Sequence, residues 1–234
     1  LLLVTGGAFI YVGKEYINIP FMNNVLLISG SLSLLVATGY MLKARHNKRL
    51  LAYSSLENMG IVAIALGVGG IGYYAAILHI VLHSFTKAGL FYQIGQSYKV
   101  MGSYQLEKSG HYMELFPAGA IAMLLGFVCI TAIPPSGMFI SELLLFKALT
   151  GAGKWWLLAF MLLMLTFAMY ALITRVLHIL YSAPREKPLH EPQKVNPWQT
   201  VTQYLLFGMV AAICFYQPPA VHRIIESVIK TLIP

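Results

Sequence analysis

The sequence predicts an all-α fold: a polytopic bundle of transmembrane helices with one discontinuous helix and a short C-terminal amphipathic helix. Three observations carry this. Of 234 residues, 58% are hydrophobic and only 10% charged, whereas an ordinary soluble domain has about 25% charged residues. The apolar residues fall in runs close to the roughly 20 needed to cross a hydrocarbon core, without the alternating pattern of outer-membrane strands. One run is broken by Pro134-Pro135-Ser136-Gly137. Because lipid offers no partner to a backbone N–H or C=O, such runs must be helices that satisfy their own hydrogen bonds.

The elements follow in order. The chain starts Leu1-Leu2-Leu3, with neither a Met nor the basic flank of a signal peptide. Residues 1–12 therefore read as the end of a preceding transmembrane helix, and the true N-terminus is expected upstream. Spans are expected at 25–42, 50–66 and 72–96, an interrupted span at 115–149, and further spans at 155–181 and 200–216. Residues 25–216 then form one six-helix membrane domain. In residues 217–234, Val221, Ile224, Ile225, Val228 and Leu232 recur at helical spacing. Such a tail lies in the membrane interface or packs on a partner subunit.

Sixteen Lys and Arg stand against eight Glu and no Asp, a net charge of +8. The basic residues do not gather into the patch of a nucleic-acid-binding domain but lie mainly in short stretches between apolar runs. Counted by loop, ten fall on one side, among them Lys43, Arg45, Lys48, Arg49 and Lys99, and five on the other. The richer side is expected to be cytoplasmic. Cys129 and Cys214 each sit alone in an apolar run, which supports neither a disulfide framework nor a cysteine metal cluster. Without Asp there is no Ser-His-Asp arrangement, and no nucleophile motif appears.

Ionisable residues inside hydrocarbon are costly and mark function. In the span 72–96, His79, His83 and Lys87 recur at i, i+4 and i+8, a polar stripe of about 12 Å on one helix face. Such a row is able to pass a proton through intervening water. Structural hydrogen bonding by the histidines, snorkelling of Lys87 and haem ligation through HxxxH are the alternatives. Pro134 and Pro135 each remove a backbone donor and Gly137 loosens the turn, so the helix must break there. Glu142 follows five residues after Gly137, where a carboxylate beside a discontinuous helix suits an ion-gating element. Glu57 and Asn58 lie deep in the span 50–66 and need polar partners, whereas Lys48 and Arg49 sit at its end as topology anchors.

The runs KRLLAYSSLENMG (48–60), HIVLHSFTKAGLFYQIG (79–95) and PPSGMFISE (134–142), in this order, resemble the second half of the antiporter-like subunits shared by respiratory complex I, multisubunit sodium/proton antiporters and membrane-bound hydrogenases. The Ser-Leu-Glu-Asn-Met-Gly variant with Glu57 is most similar to hydrogenase-4 component F and formate hydrogenlyase-like subunits. The resemblance implies fourteen helices with two inverted five-helix repeats, of which this chain carries the second, and a hydrated polar axis at mid-membrane. It places Lys48, His79, His83 and Lys87 on that axis or its connection to water, and Glu142 on the broken helix. The first repeat is absent from these 234 residues, so the chain is a fragment or a split subunit.

The function this implies is proton translocation along a buried Lys/His/Glu chain in a redox-driven complex, with a subunit of a multisubunit Na+/H+ antiporter as the alternative. Lys87 is expected to exchange a proton with Glu142 through water and with His83 and His79, while Glu57 adjusts the field. No cofactor, no metal and no catalytic residue of its own is expected. The partners are other membrane and peripheral subunits and the lipid bilayer, in a bacterial or archaeal cytoplasmic membrane.

Overall fold

The computed structural model describes residues 19–184, 190 and 193–232; the helix end expected at 1–12 lies outside the described residues. Among them there is no strand, only an isolated bridge between His46 and Gln105 that ties two loops together. Helix α1 (Ile19–Lys43) starts earlier than its apolar run because Pro20 suits a first helical turn, where the missing N–H goes unneeded. Helices α2 (Asn47–Val68) and α3 (Ile71–Met101) follow. α3 outlasts the expected end at 96, since hydropathy marks the limit of lipid and not the limit of helical hydrogen bonding. Gly102, at φ 70°, ends it, and its N–H donates to the Tyr98 carbonyl at 2.7 Å.

The interrupted span is made of a single turn, α4 (Tyr112–Leu115), and two half-helices, α5 (Pro117–Ile130) and α6 (Gly137–Gly151). Helix α7 (Trp155–Tyr181) has the bounds its apolar run predicts, and α8 (Val201–Phe215) is entered through a 3-10 turn at Pro197–Thr200. With that turn included, α1, α2, α3, α7 and α8 are each long and apolar enough to cross a membrane. The half-helices α5 and α6, of 14 and 15 residues, are each too short to cross a membrane alone.

Between the halves, the backbone is not left bare. Thr131 N–H donates to the Phe127 carbonyl, Ala132 N–H to Cys129 and Ile133 N–H to Val128, while the Ser136 hydroxyl donates to Cys129 O and caps α6 by accepting from Met138 N–H. The break expected at Pro134 and Pro135 is there, but Gly137 does not loosen it: Gly137 is the first residue of α6, and a Cβ on it would stand 2.6 Å from the Val210 carbonyl of α8. Its role is close helix approach.

α3 is the central helix, touching α2, α5, α6, α8 and the terminal helix α9 (Pro219–Leu232). The tail helix lays Val221, Ile225, Val228 and Ile229 on the bundle's own core, while Ile224, expected on the apolar stripe, is 62% exposed. A polar clasp sets this rotation: Tyr74 Oη of α3 donates to Gln217 Oε1 at 3.2 Å and stands 3.1 Å from His222 Nδ1, whose other nitrogen pairs with Glu226 at 3.1 Å. At the opposite end, Arg175 of α7 donates to the Leu42 and Ala44 carbonyls and so caps the C-terminus of α1.

α1 packs closely on α2, back to back through glycines. A Cβ on Gly60 would lie 2.8 Å from the Gly30 carbonyl, and one on Gly30 would lie 2.7 Å from the Gly60 carbonyl. Small residues at such crossings let backbones approach. Gly60→Val should therefore force the helices apart and destabilise the protein by about 1–3 kcal/mol. Gly39→Val, on an exposed face of α1 with open space around it, should leave the thermal unfolding midpoint in detergent nearly unchanged.

Candidate functional site

Three helices supply one buried polar cluster. On α2, residues three and four apart share a face, which turns Leu51, Ser54, Glu57 and Asn58 toward the bundle interior. α3 contributes His79, His83 and Lys87 on the face that their spacing predicts. On α6, Ser141 and Glu142 follow one turn after the break. Glu57, Asn58, His79, His83, Lys87, Ser141 and Glu142 are all between 1 and 8% exposed, so each must find its partners inside the protein.

Lys87 Nζ donates to the Leu51 carbonyl and to Ser54 Oγ, each at 2.5 Å. Two acceptors on α2 thus receive the ammonium, which is placed well away from any snorkelling route. Three residues further along α2 stands Glu57, whose Oε2 accepts from Asn58 Nδ2 at 2.8 Å. Asn58 also donates to Ser54 O at 2.7 Å, and its Oδ1 meets His79 Nε2 at 3.0 Å. His79 Nδ1 lies 2.9 Å from Ser141 Oγ on α6. Both ring nitrogens of His79 are therefore engaged, which leaves neither for an axial bond to haem. His83 stacks parallel to His79 with ring centroids 6.4 Å apart, and its buried Nδ1 has no partner.

Glu142 and Glu57 open onto the same cavity of about 210 Å³, bounded by Thr131 and Ala132 of the break and by Thr166 on α7. That volume has room for a cluster of water molecules. Among the described residues no Lys, Arg or His side chain comes within 4.0 Å of either carboxylate. The carboxylate facing Glu142 is thus Glu57, and Lys87 is not part of that wall. Lys48 does not join the cluster: it is exposed at the start of α2, with its ammonium 4.0 Å from the centre of the Tyr104 ring. The helix register explains the difference, since Lys48 lies off the Leu51–Ser54–Asn58 stripe. Among the described residues no group of three His, Cys, Asp or Glu forms a metal site.

Ser54, Asn58 and Ser141 carry more of the cluster than sequence reasoning assigned them. Their signal was the small polar residue inside an apolar helix. It is a weak signal, because Ser and Thr in such helices commonly bond their own preceding turn, as Thr86 does to the Leu82 carbonyl.

A family model described as NADH:quinone oxidoreductase/Mrp antiporter, TM, matches residues 2–182. The chain belongs to that family. Hydrogenase-4 component F homolog of Methylacidiphilum infernorum is 32% identical over 162 residues, covering 69% of this chain and 34% of that protein. Hydrogenase-4 component B of Escherichia coli is 33% identical over 137 residues, 53% of this chain and 20% of that one. The chain thus spans about a third or less of these curated relatives. Among solved structures, an archaeal membrane-bound sulfane sulfur reductase aligns with a TM-score of 0.81 at 20% identity, over 98% of this chain and 46% of its own. Respiratory complex I from Thermus thermophilus aligns at 0.78 and 19% identity, over 95% of this chain and 49% of its own. The fold expected of an antiporter-like membrane subunit is the fold of this family member, discontinuous helix included.

Within this family member, Asn58 is the side chain that joins α2 to His79. Asn58→Leu keeps the volume but strips Glu57 and His79 of a partner, and should destabilise the protein by about 1–3 kcal/mol. Ser84→Ala, which loses only an exposed bond to the Ile80 carbonyl, should stay within about 0.5 kcal/mol. Thermal unfolding in detergent compares the two.

Proposed function

We propose that this chain is the proton-translocating membrane segment of a redox-driven ion-pumping complex of the hydrogenase-4, formate hydrogenlyase or complex I type. The observation that carries this reading is a buried ammonium followed by polar contacts that reach the broken helix: Lys87 to Ser54, the Ser54 carbonyl to Asn58, and Asn58 both to Glu57 and to His79, which meets Ser141. The route from Glu57 to Glu142 passes through their shared cavity.

In this mechanism Lys87 releases a proton to Glu57, one turn further along α2 from its Ser54 contact, converting an ammonium and a carboxylate into an amine and a carboxylic acid. Glu57 passes it through cavity water to Glu142 at the start of α6. His79, fixed at both nitrogens, and His83, with one nitrogen free for water, serve as the branch toward the other aqueous face. Moving one elementary charge against 100 mV costs about 2.3 kcal/mol, so the drive comes from partner subunits carrying redox chemistry or from a coupled ion. The partners are the other membrane and peripheral subunits of such a complex. The charge-rich loops face the cytoplasm of a bacterium or archaeon, and α9, packed on the bundle through Val221 and Ile225, lies toward the opposite face.

The test is proton uptake or release by sealed vesicles carrying the complete complex. Lys87→Ala and Glu142→Gln should each reduce translocation by at least about a hundredfold, the lower range for removing a proton-transferring group, while the complex assembles and its electron transfer persists. Normal translocation by Lys87→Ala refutes the reading. Translocation that requires Na+ on the opposite side would assign the chain to a Na+/H+ antiporter instead.

A further inference from the structure

The charge-rich end of the bundle carries a recess that the proton route does not use. Where α1 turns into α2, residues 44–46 form an elbow. Beside it opens a cleft of about 550 Å³, walled in part by Tyr40 and Lys43 of α1, Arg45 of the elbow, Arg49 and Tyr53 of α2, and Glu107 of the loop after α3. Backbone bonds tie that loop to the elbow: the Leu106 N–H donates to the Arg45 carbonyl at 3.1 Å, and the Asn47 N–H donates to the Tyr104 carbonyl at 3.0 Å. The walls are therefore fixed before anything enters.

The charge of the cleft is one-sided. Three cations share its wall with one carboxylate, and Glu107 pairs with Arg45, at 3.6 Å. Among the described residues neither Lys43 nor Arg49 has an acidic partner. The helix ends add to the same sign. α2 starts at this elbow with no acidic residue in its first turn, which leaves the positive end of its macrodipole to an anion. The carbonyl end of α1, which would repel one, is covered by Arg175. Basic loop residues ordinarily act as topology anchors; Lys43 and Arg49 differ in lining a preformed recess.

Deeper in the membrane the surface changes character. Tyr40, three residues before Lys43, and Tyr53, four after Arg49, lie one turn further in and stack with ring centroids 5.2 Å apart. Another turn inward, Val36 and Leu56 are exposed and aliphatic. Cation, aromatic ring and aliphatic side chain thus follow one another along α1 and α2. A phospholipid presents phosphate, glycerol and acyl chains in that order, whereas a free phosphate would leave the apolar half uncovered.

We infer that this cleft binds one anionic phospholipid, its phosphate between Lys43 and Arg49 at the start of α2, its glycerol region on the Tyr40–Tyr53 pair and its chains along Val36 and Leu56. The site is separate from the Lys87 cluster and does not depend on proton movement.

The test places the complete complex in phosphatidylcholine nanodiscs containing rising fractions of a phosphatidylglycerol with a photoreactive diazirine in its acyl chain, and maps the crosslinks by peptide mass spectrometry. Labelling should saturate on α1 and α2 around Val36, Tyr40, Tyr53 and Leu56. Unlabelled phosphatidylglycerol should displace the probe, and neither excess phosphatidylcholine nor soluble glycerol phosphate should. Lys43→Gln combined with Arg49→Gln should raise the half-saturating fraction about thirtyfold, equivalent to about 1 kcal/mol for each basic side chain. Lys99→Gln, on the same side but outside the cleft, should leave it unchanged. Where the double variant fails to assemble, the competition in the wild-type complex decides. Equal displacement by phosphatidylcholine, displacement by glycerol phosphate, unchanged saturation in the double variant, or no labelling here because a partner subunit covers the cleft would each overturn the site.

Discussion

An ammonium buried in a membrane protein has to be received by something, and in this chain the receiver is α2. Lys87 Nζ rests on the Leu51 carbonyl and on Ser54 Oγ, and nearly every other feature of the site follows from that contact. It requires α2 and α3 to lie close with their polar faces opposed. That in turn requires α1 to support α2 from behind, which the Gly30 and Gly60 crossing allows. Once the ammonium is fixed against Ser54, helix periodicity alone carries Glu57 and Asn58 to the next turn, and Asn58 then reaches His79.

The broken helix performs a complementary task. Its loose backbone groups are mostly bonded locally, through Phe127, Val128 and Cys129, so the break does not act as a bare array of carbonyls. What it does is end one half-helix at Ile130 and start another at Gly137 inside the bundle. That lets Ser141 meet His79 while Glu142 turns toward Glu57 across a shared cavity. The site therefore holds two carboxyl groups, two imidazoles and one amine in a single polar cluster, with small hydroxyl and amide side chains between them.

Much of this was legible in the sequence. Long apolar runs marked the five helices that are long and apolar enough to cross a membrane, and α7 has the bounds its run predicts because no charged residue interrupts it before Arg175. The i, i+4, i+8 spacing put His79, His83 and Lys87 on one face, and the Pro-Pro pair located the break. Relations between helices were not legible. Periodicity describes one helix at a time, so it linked Lys87 to its own histidines and left the pairing with Ser54 of α2 unseen. It also read Gly137 as a flexible turn, when the residue is small because α8 passes over it. Ile224 looked equivalent to Ile225 until the Tyr74–His222 clasp set the rotation of α9. Lys48 shares a motif with the site in sequence but points off the stripe.

The central claim is that these groups converge on a wet interior. An electron cryomicroscopy map of the complete complex, at a resolution that shows ordered water, examines it most directly. The account predicts water density in the cavity between Glu57 and Glu142, hydrogen-bonded to both carboxyl groups, with Lys87 still resting on Ser54. A cavity filled by side chains, or Lys87 turned toward lipid with no water beside either carboxyl group, would contradict it.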